Sequence, residues 1–320
     1  MPEAGVHVVF GAGQIGPLLA ERLIAAGRQV RVIRKSAGAV PVAGAEVIRG
    51  DAMDPAFCAE AARGAAVVYH CMNSPYFARV WRETLPRLQA NLVAAAGRAG
   101  ARLVVLDNVY ALGPTGGRPM NEDTPPNPCS RKGAIRAELH EALQAAVRRG
   151  DVRAAVGRAS DFYGPNAGNS MMGERLLRQL VAGKPAQVLF DPELPHTYHY
   201  SHDVAAGLAT MGLDEGSDGL WMLPCAPARP SRELVGLLAA ALGRSGAKIS
   251  RMPPLLFRSL AFVVPLLREL QEMMYQFEEP FVVDDARFRA RFGAAATPLE
   301  TGAAETAAWA RATLGAGAKA

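Results

Sequence analysis

The 320-residue sequence predicts an α/β protein: a doubly wound parallel sheet with a smaller C-terminal mixed α/β lobe. Three observations carry that prediction. Short β-branched runs alternate with helical patterns through the first half of the chain, a glycine-rich turn joins the first strand to the first helix, and the alternation fades beyond Tyr163. Half of the residues are hydrophobic, which is ample for one large α/β domain or for such a domain with a smaller partner.

The elements follow in order. Residues 7–10 form a first strand, and Gly11 to Gly16 lead into a helix over 17–26. Strands at 29–33, 46–49, 66–69 and 102–106 are separated by helices at 55–63 and 76–99. A loop rich in Pro, Gly, Asn and Asp fills 113–129, followed by a helix over 133–149 and a sixth strand over 152–157. That spacing demands parallel strands with right-handed crossovers. Further on, Ser201-His202-Asp203 reads as an N-cap before a helix at 204–211, and Ser231 opens a capped helix over 231–244. The expected division is a first domain at 1–163, with 201–222 packing back on it, a second lobe from 164–200 and 223–312, and a flexible Ala/Gly-rich tail at 313–320.

Composition excludes several classes. The net charge is +5, but the cations are scattered in ones and twos, so no nucleic-acid stripe is expected. Cys58, Cys71, Cys129 and Cys225 form no CxxC pair and no signal peptide is evident at Met1, which predicts free thiols in a reducing cytoplasm. The most apolar stretch, 253–267, is interrupted by Arg258 and too short to span a bilayer. It reads as a buried amphipathic helix, with a membrane-surface helix as the alternative; no membrane partner is expected. His196, His199 and His202 recur at three-residue spacing, but on an extended stretch side chains three apart face opposite sides, so no metal site is expected. No spaced carboxylate pair points to glycoside hydrolysis and no Gly-x-Ser-x-Gly elbow to an esterase.

Gly11-Ala12-Gly13-Gln14-Ile15-Gly16 fits the G-x-G-x-x-G dinucleotide fingerprint, and its context, after a strand and opening a helix, is the Rossmann one. Gly11 serves the tight turn, Gly13 the approach of a pyrophosphate to backbone N–H groups, and Gly16 the packing of helix on strand. At the end of the second strand, where an NAD site places a carboxylate for the ribose 2′-hydroxyl, stand Arg34 and Lys35. Two cations suit a 2′-phosphate, so NADP is favoured over NAD.

Further segments make the chain resemble the extended short-chain dehydrogenase/reductases, the NAD-dependent epimerase/dehydratase group, over nearly its whole length. Gly50-Asp51-Ala52-Met53-Asp54 resembles the family's segment after the third strand, which implies that Asp51 and Ala52 meet the adenine. Val67 to Cys71 resembles the fourth strand beside the cofactor, which makes Cys71, Met72 and Asn73 cofactor candidates. Asp107-Asn108-Val109-Tyr110 sits where the family has a Ser-rich strand end closing in Tyr-Gly. Arg158-Ala159-Ser160-Asp161-Phe162-Tyr163-Gly164-Pro165 is similar to the Arg-x-x-x-x-Tyr-Gly-Pro segment that borders the nicotinamide. Tyr200 to Ala205 is similar to the His-x-x-Asp-Val-Ala stretch, with Tyr200 replacing the His. The resemblance also implies a homodimer.

The catalytic motif departs from that family. No Tyr-x-x-x-Lys occurs; Lys132 falls at the position of the Tyr, Arg136 at that of the Lys, and Asn108 near the usual Ser. Arg136 can anchor ribose or phosphate but cannot donate a proton at neutral pH. Lys132, with a like charge nearby, is a candidate acid/base or a second cofactor anchor. Tyr110, just beyond a strand's C-terminal end, and Tyr163 are the other proton-transfer candidates, and Tyr76, Tyr110, Tyr198 and His199 the candidate substrate contacts. The expected function is therefore an NAD(P)-dependent oxidoreductase acting on a carbonyl or alcohol of a small hydrophobic substrate, with a non-standard proton donor. A non-redox isomerase, lyase or cyclase on the same scaffold, or a dinucleotide-sensing binding protein, are the alternatives.

Overall fold

In the computed structural model, which describes residues 5–37, 42–168, 170–189 and 191–315, the chain begins with β1 (Val6–Phe10), α1 (Gly16–Ala25), β2 (Val30–Arg34), β3 (Glu46–Arg49), α2 (Pro55–Ala61), β4 (Ala65–His70) and α3 (Ala78–Ala99). Next come β5 (Arg102–Asn108), a 3-10 turn (Tyr110–Leu112), α4 (Arg131–Arg148), β6 (Arg153–Ala159), β7 (Asp161–Tyr163), α5 (Glu174–Val181) and β8 (Ala186–Val188). The remainder runs through β9 (Pro195–His196), β10 (Tyr198–Tyr200), α6 (Ser201–Leu213), β11 (Gly219–Met222), β12 (Arg229–Pro230), α7 (Ser231–Ala241), β13 (Ile249–Arg251), α8 (Pro254–Val263), α9 (Pro265–Gln271), a 3-10 turn (Met274–Phe277), α10 (Ala286–Phe292) and α11 (Leu299–Leu314).

The predicted doubly wound sheet is present. Its order is β3-β2-β1-β4-β5-β6-β11, and every pairing in it is parallel. The β-branched runs are continuous because both faces are covered: Val8, Val9, Phe10, Val68, Leu103 and Val104 have no exposed surface. Helix α3 buries Trp81, Leu85, Leu88 and Leu92, at the three- and four-residue spacing of one helical face. It starts two residues later than expected, which leaves Tyr76 outside the helix. The strand order reverses between β1 and β4, and at such a switch point the carboxyl ends of the strands open a crevice.

The chain separates into two compact units. One comprises Met1–Ala111, Arg131–Ala159 and Val204–Leu223, and contains the large sheet. The other comprises Leu112–Ser130, Ser160–Asp203 and Pro224–Ala320. It is mixed α/β: three two-stranded pairings (β7 with β10, β8 with β13, β9 with β12) accompany α5, α7 and α11, whose Leu176, Leu177, Leu234, Leu238 and Ala303 form its core.

Three local expectations are corrected. Helix α6 starts at Ser201, so Asp203 lies in its first turn; the carboxylate is no N-cap but accepts bonds from the Thr297 amide (2.8 Å) and hydroxyl (2.7 Å). Helix α7 has no side-chain cap, because the Ser231 hydroxyl is engaged with the Tyr198 hydroxyl at 2.7 Å. The stretch 253–267 is not one buried helix. Pro265 forces Val264 into extended backbone and divides it into α8 and α9, with Leu255, Phe262 and Val263 exposed. Of the expected tail, 313 and 314 close α11, and 316–320 lie outside the described residues, as do 1–4. Among the described residues no helix is long and apolar enough to cross a membrane.

Candidate cofactor and active site

The turn between β1 and α1 separates its three glycines by cause. Gly11 has φ +115°, and a Cβ there would stand 2.8 Å from the Cys71 carbonyl. A Cβ on Gly16 would stand 1.8 Å from the Gly11 carbonyl oxygen. The protein's own backbone therefore requires both. Gly13 differs: a Cβ would meet nothing within 4 Å, so no neighbour in the fold demands glycine there. What a side chain at Gly13 would obstruct is the open space over the turn, where the fingerprint brings a diphosphate to the amides. The buried Gln14 Nε2 has no hydrogen-bond partner among the described residues. The turn thus fits a dinucleotide.

A cleft of about 770 Å³ opens from this turn, lined by Gly11 and Gly13, by Arg34 and Lys35 at the tip of β2, by Asp51 and Ala52 after β3, and by Cys71, Met72 and Asn73 after β4. A groove of about 790 Å³ between α3 and α4 is slightly larger and mixes Ala90, Val93 and Leu139 with Gln89, Arg98, Glu138 and Arg149, but no strand–helix glycine turn opens into it. At the cleft's rim Lys35 Nζ lies 2.8 Å from Asp51 Oδ2. The bond to Lys35, and then the Met53 amide, hold the Asp51 carboxyl below its ordinary range. Arg34 Nη2 donates to the Ser36 hydroxyl (2.9 Å) and the Ala37 carbonyl (3.1 Å).

Behind the cleft lies a buried charge cluster. Asp107 on β5 and Arg158 on β6 are register partners, and the Asp107 carboxylate accepts from Arg158 Nε (3.1 Å) and Arg136 Nη1 (3.4 Å). Arg136 also donates to Asn73 Oδ1 (3.2 Å), and its guanidinium stands 4.8 Å from the Trp81 ring centroid. Asn73 lines the cleft, so Arg136 braces part of the cleft wall through it. His70, at the end of β4, accepts the Met72 amide on Nδ1; burial, and then the Arg136 charge, push it down to about 4.

Four of the expected residues meet beyond the end of β5. The Tyr110 hydroxyl lies 3.2 Å from that of Tyr76. Trp81 stacks on Tyr110 and meets Tyr76 edge-on. Lys132 has no exposed surface, and its Nζ stands 4.6 Å over the Tyr76 ring centroid. Asn108 Oδ1 accepts the Tyr110 amide, so its side chain shapes the turn that presents Tyr110.

The remaining candidates belong to the second unit. The Ser160 amide donates to His199 Nδ1 (3.1 Å) and its hydroxyl to the Thr197 carbonyl (2.5 Å). Tyr163 is fully buried, packed on Tyr200 and against Gly302, and its hydroxyl has no hydrogen-bond partner among the described residues. Burial, reinforced by Asp203, Glu305 and Glu300, raises its pKa far above the ordinary tyrosine value. Tyr198 and His199 are buried as well. The proton-donor candidate Tyr163 and the substrate-contact candidates Tyr198 and His199 are thus all placed among packed side chains of this unit.

Sequence reading missed Trp81, Arg158 as a partner of Asp107, and His70. The 3.6-residue periodicity assigns Trp81 to a core face, and nothing along the chain reveals that its ring also carries two tyrosines and a guanidinium. Arg158 lay in a quoted motif, but its pairing follows from strand register alone.

Solved structures of similar fold cover nearly the whole chain. The dTDP-glucose 4,6-dehydratase of Streptomyces venezuelae, crystallised with NAD and TYD bound, matches with a TM-score of 0.79 at 20% identity, over 97% of this chain and 98% of that one. The UDP-glucose 4-epimerase of Thermotoga maritima, with UDP-glucose, matches with a TM-score of 0.75 at 18% identity, over 96% and 99%. The UDP-N-acetylglucosamine 4-epimerase of Bacillus cereus matches with a TM-score of 0.76 at 15% identity, over 94% and 95%. A comparison with curated protein sequences finds no match. The family model described as the NAD dependent epimerase/dehydratase family matches residues 7–218, and with two thirds of its length so matched the chain belongs to that family.

Proposed function

We propose that this family member is an NADP-dependent oxidoreductase that reduces a carbonyl, or oxidises an alcohol, of a small hydrophobic substrate, with Tyr110 as proton donor. The observation that carries this reading is the Tyr76–Tyr110 hydroxyl pair beside Lys132, at the carboxyl end of β5. A neutral phenol is an acid able to protonate a developing alkoxide. A hydrogen bond from Tyr76 and a neighbouring Lys132 stabilise the phenolate left behind. Lys132 thus assists Tyr110, and Asn108 holds the turn.

Bound NADP supplies the hydride donor or acceptor. The amides around Gly13, Gln14 and Ile15 hold its diphosphate, and Arg34 and Lys35 its 2′-phosphate. Asp51 and Ala52 meet the adenine, and Cys71 to Asn73 the ribose side. Ser160, from the family's nicotinamide segment, is assigned by resemblance. The two cations lining the cleft, with no carboxylate from 34 to 37, support NADP over NAD. Residues 1–163 and 201–222 act as the cofactor domain, and 164–200 with 223–312 as the substrate lobe, a division that departs from the compact units at 112–130, 160–163 and 201–203, which fall in the second unit, and at 223, which falls in the first. A cytoplasmic location agrees with the free cysteines, and a homodimer with the family.

A nucleotide sugar is the second substrate reading, favoured by the UDP-glucose in the Thermotoga epimerase structure. The test incubates purified protein with C4-deuterated NADPH and a panel of hydrophobic carbonyls, UDP-sugars and dTDP-sugars. Label in a hydrophobic alcohol supports the reading. Unlabelled, isomerised sugar nucleotide would replace it, and absence of both NADP binding and turnover would end it.

A further inference from the structure

The elbow formed by α8 and α9 is the most apolar exposed feature of the second unit. Leu255, Phe262 and Val263 are 78%, 80% and 74% exposed, and Leu256, Val264 and Leu266 are exposed as well. They form a single stripe: Leu255 and Phe262, like Leu256 and Val263, are seven residues apart on α8, two helical turns, and so share a face. The opposite face is the one that packs, since Phe257 and Ala261 are buried. Pro265 then turns the chain so that Val264 and Leu266 extend the stripe. Soluble surfaces do not ordinarily cluster large apolar side chains that protrude this far.

The charge around the stripe has one sign. From Arg244 to Arg268 the sequence contains Arg244, Lys248, Arg251, Arg258 and Arg268, and no Asp or Glu. Arg251 pairs with Asp191, and Arg268 binds the last carbonyls of α8. Lys248 and Arg258 are exposed.

We propose that the α8–α9 elbow docks on an anionic lipid surface, inserting Leu255, Phe262 and Val263 among the acyl chains while its cations meet the headgroups. Two features favour a bilayer over a protein partner. The apolar side chains protrude on one broad helical face, and protruding side chains enter a fluid phase more readily than they match a rigid patch. Arg251 is paired with Asp191, but the stretch 244–268 itself carries no carboxylate, which is the electrostatic pattern of attraction to anionic lipid. At ten residues α8 is about half of the length needed to span, so the elbow lies in the interface plane. Binding of this kind is independent of the cofactor and the substrate.

The test is co-sedimentation of the full chain with vesicles of phosphatidylcholine alone and of phosphatidylcholine mixed equally with phosphatidylglycerol. The expected result is partitioning into the mixed vesicles at least about tenfold above the neutral ones, weakened by high salt. The double substitution Leu255→Glu with Phe262→Glu lowers that binding at least about tenfold, and so does Lys248→Glu with Arg258→Glu. All four positions are exposed, so unchanged circular dichroism and melting temperature are expected. Absence of binding to mixed vesicles would overturn the proposal. So would binding that survives both double substitutions, or light scattering showing that Leu255→Glu with Phe262→Glu only dissociates a dimer, which would make a second copy the occupant.

Discussion

The hydroxyls of Tyr76 and Tyr110 stand 3.2 Å apart, and Trp81 holds both rings. Tyr110→Phe keeps the ring and removes only the hydroxyl, so packing should survive while turnover falls about 100-fold or more. Tyr76→Phe should cost about tenfold and raise the pKa seen in the pH–rate profile, because the phenolate loses one donor. Lys132→Met should shift that profile in the same direction. The measurement is kcat against pH for each variant with the best substrate of the panel. Wild-type turnover in Tyr110→Phe would remove it as donor.

Gly13 and Gly16 should respond in opposite ways to the same methyl group. Gly13→Ala adds a Cβ with no protein neighbour, so the unfolding midpoint should stay put while dinucleotide affinity falls about tenfold or more. Gly16→Ala drives a Cβ into the Gly11 carbonyl and should cost about 1–3 kcal/mol of stability. Urea unfolding and calorimetry with NADP separate the two.

Arg34→Ala should weaken NADP by roughly ten- to a hundredfold and leave NAD nearly unchanged, since a charge-assisted contact to phosphate contributes about 1.5–3 kcal/mol. Lys35→Ala should do the same more weakly, and it also releases Asp51, whose carboxyl pKa then returns towards the ordinary range. Titration with both dinucleotides, and an NMR titration of Asp51, check this. Equal losses for NADP and NAD would show that the 2′-phosphate is not what these cations read.

Asp107→Asn should destabilise the protein by about 3–5 kcal/mol, because Arg158 and Arg136 would stay buried without their carboxylate. Thermal unfolding gives the readout. A change below about 1 kcal/mol would mean that water reaches the cluster.

His70 makes stability depend on acid. Unfolded, it takes a proton near 6.5; folded, only near about 4. Between those values the unfolded chain binds more protons, so stability falls as pH drops from 6.5 towards 4 and levels off below. The full loss from this residue is about 3 kcal/mol. His7, also pushed down to about 4, by burial and then by Arg28 and Arg102, adds to the same slope. Urea midpoints between pH 7 and 4 should show it, and His70→Asn, which keeps an acceptor for the Met72 amide, should flatten it.

The first unit was legible because its determinants are local. Alternation of β-branched runs with 3.6-residue patterns, and a glycine turn between them, state the strand–helix order and leave one handed way to close it. The position of the cofactor cleft follows from that order. Local signals misled where a residue's partner lies far along the chain: Asp203 reads as a cap but binds Thr297, and Ser231 reads as a cap but binds Tyr198. Tertiary structure alone decided that Tyr76, Tyr110, Trp81 and Lys132 meet in one cluster, that Asp107 carries two guanidiniums, and that much of the apolar stretch after Pro253 is exposed. Sequence periodicity says that a side chain avoids water or seeks it; which neighbour it meets is decided by strand register and helix packing, and these exist only once the chain is folded.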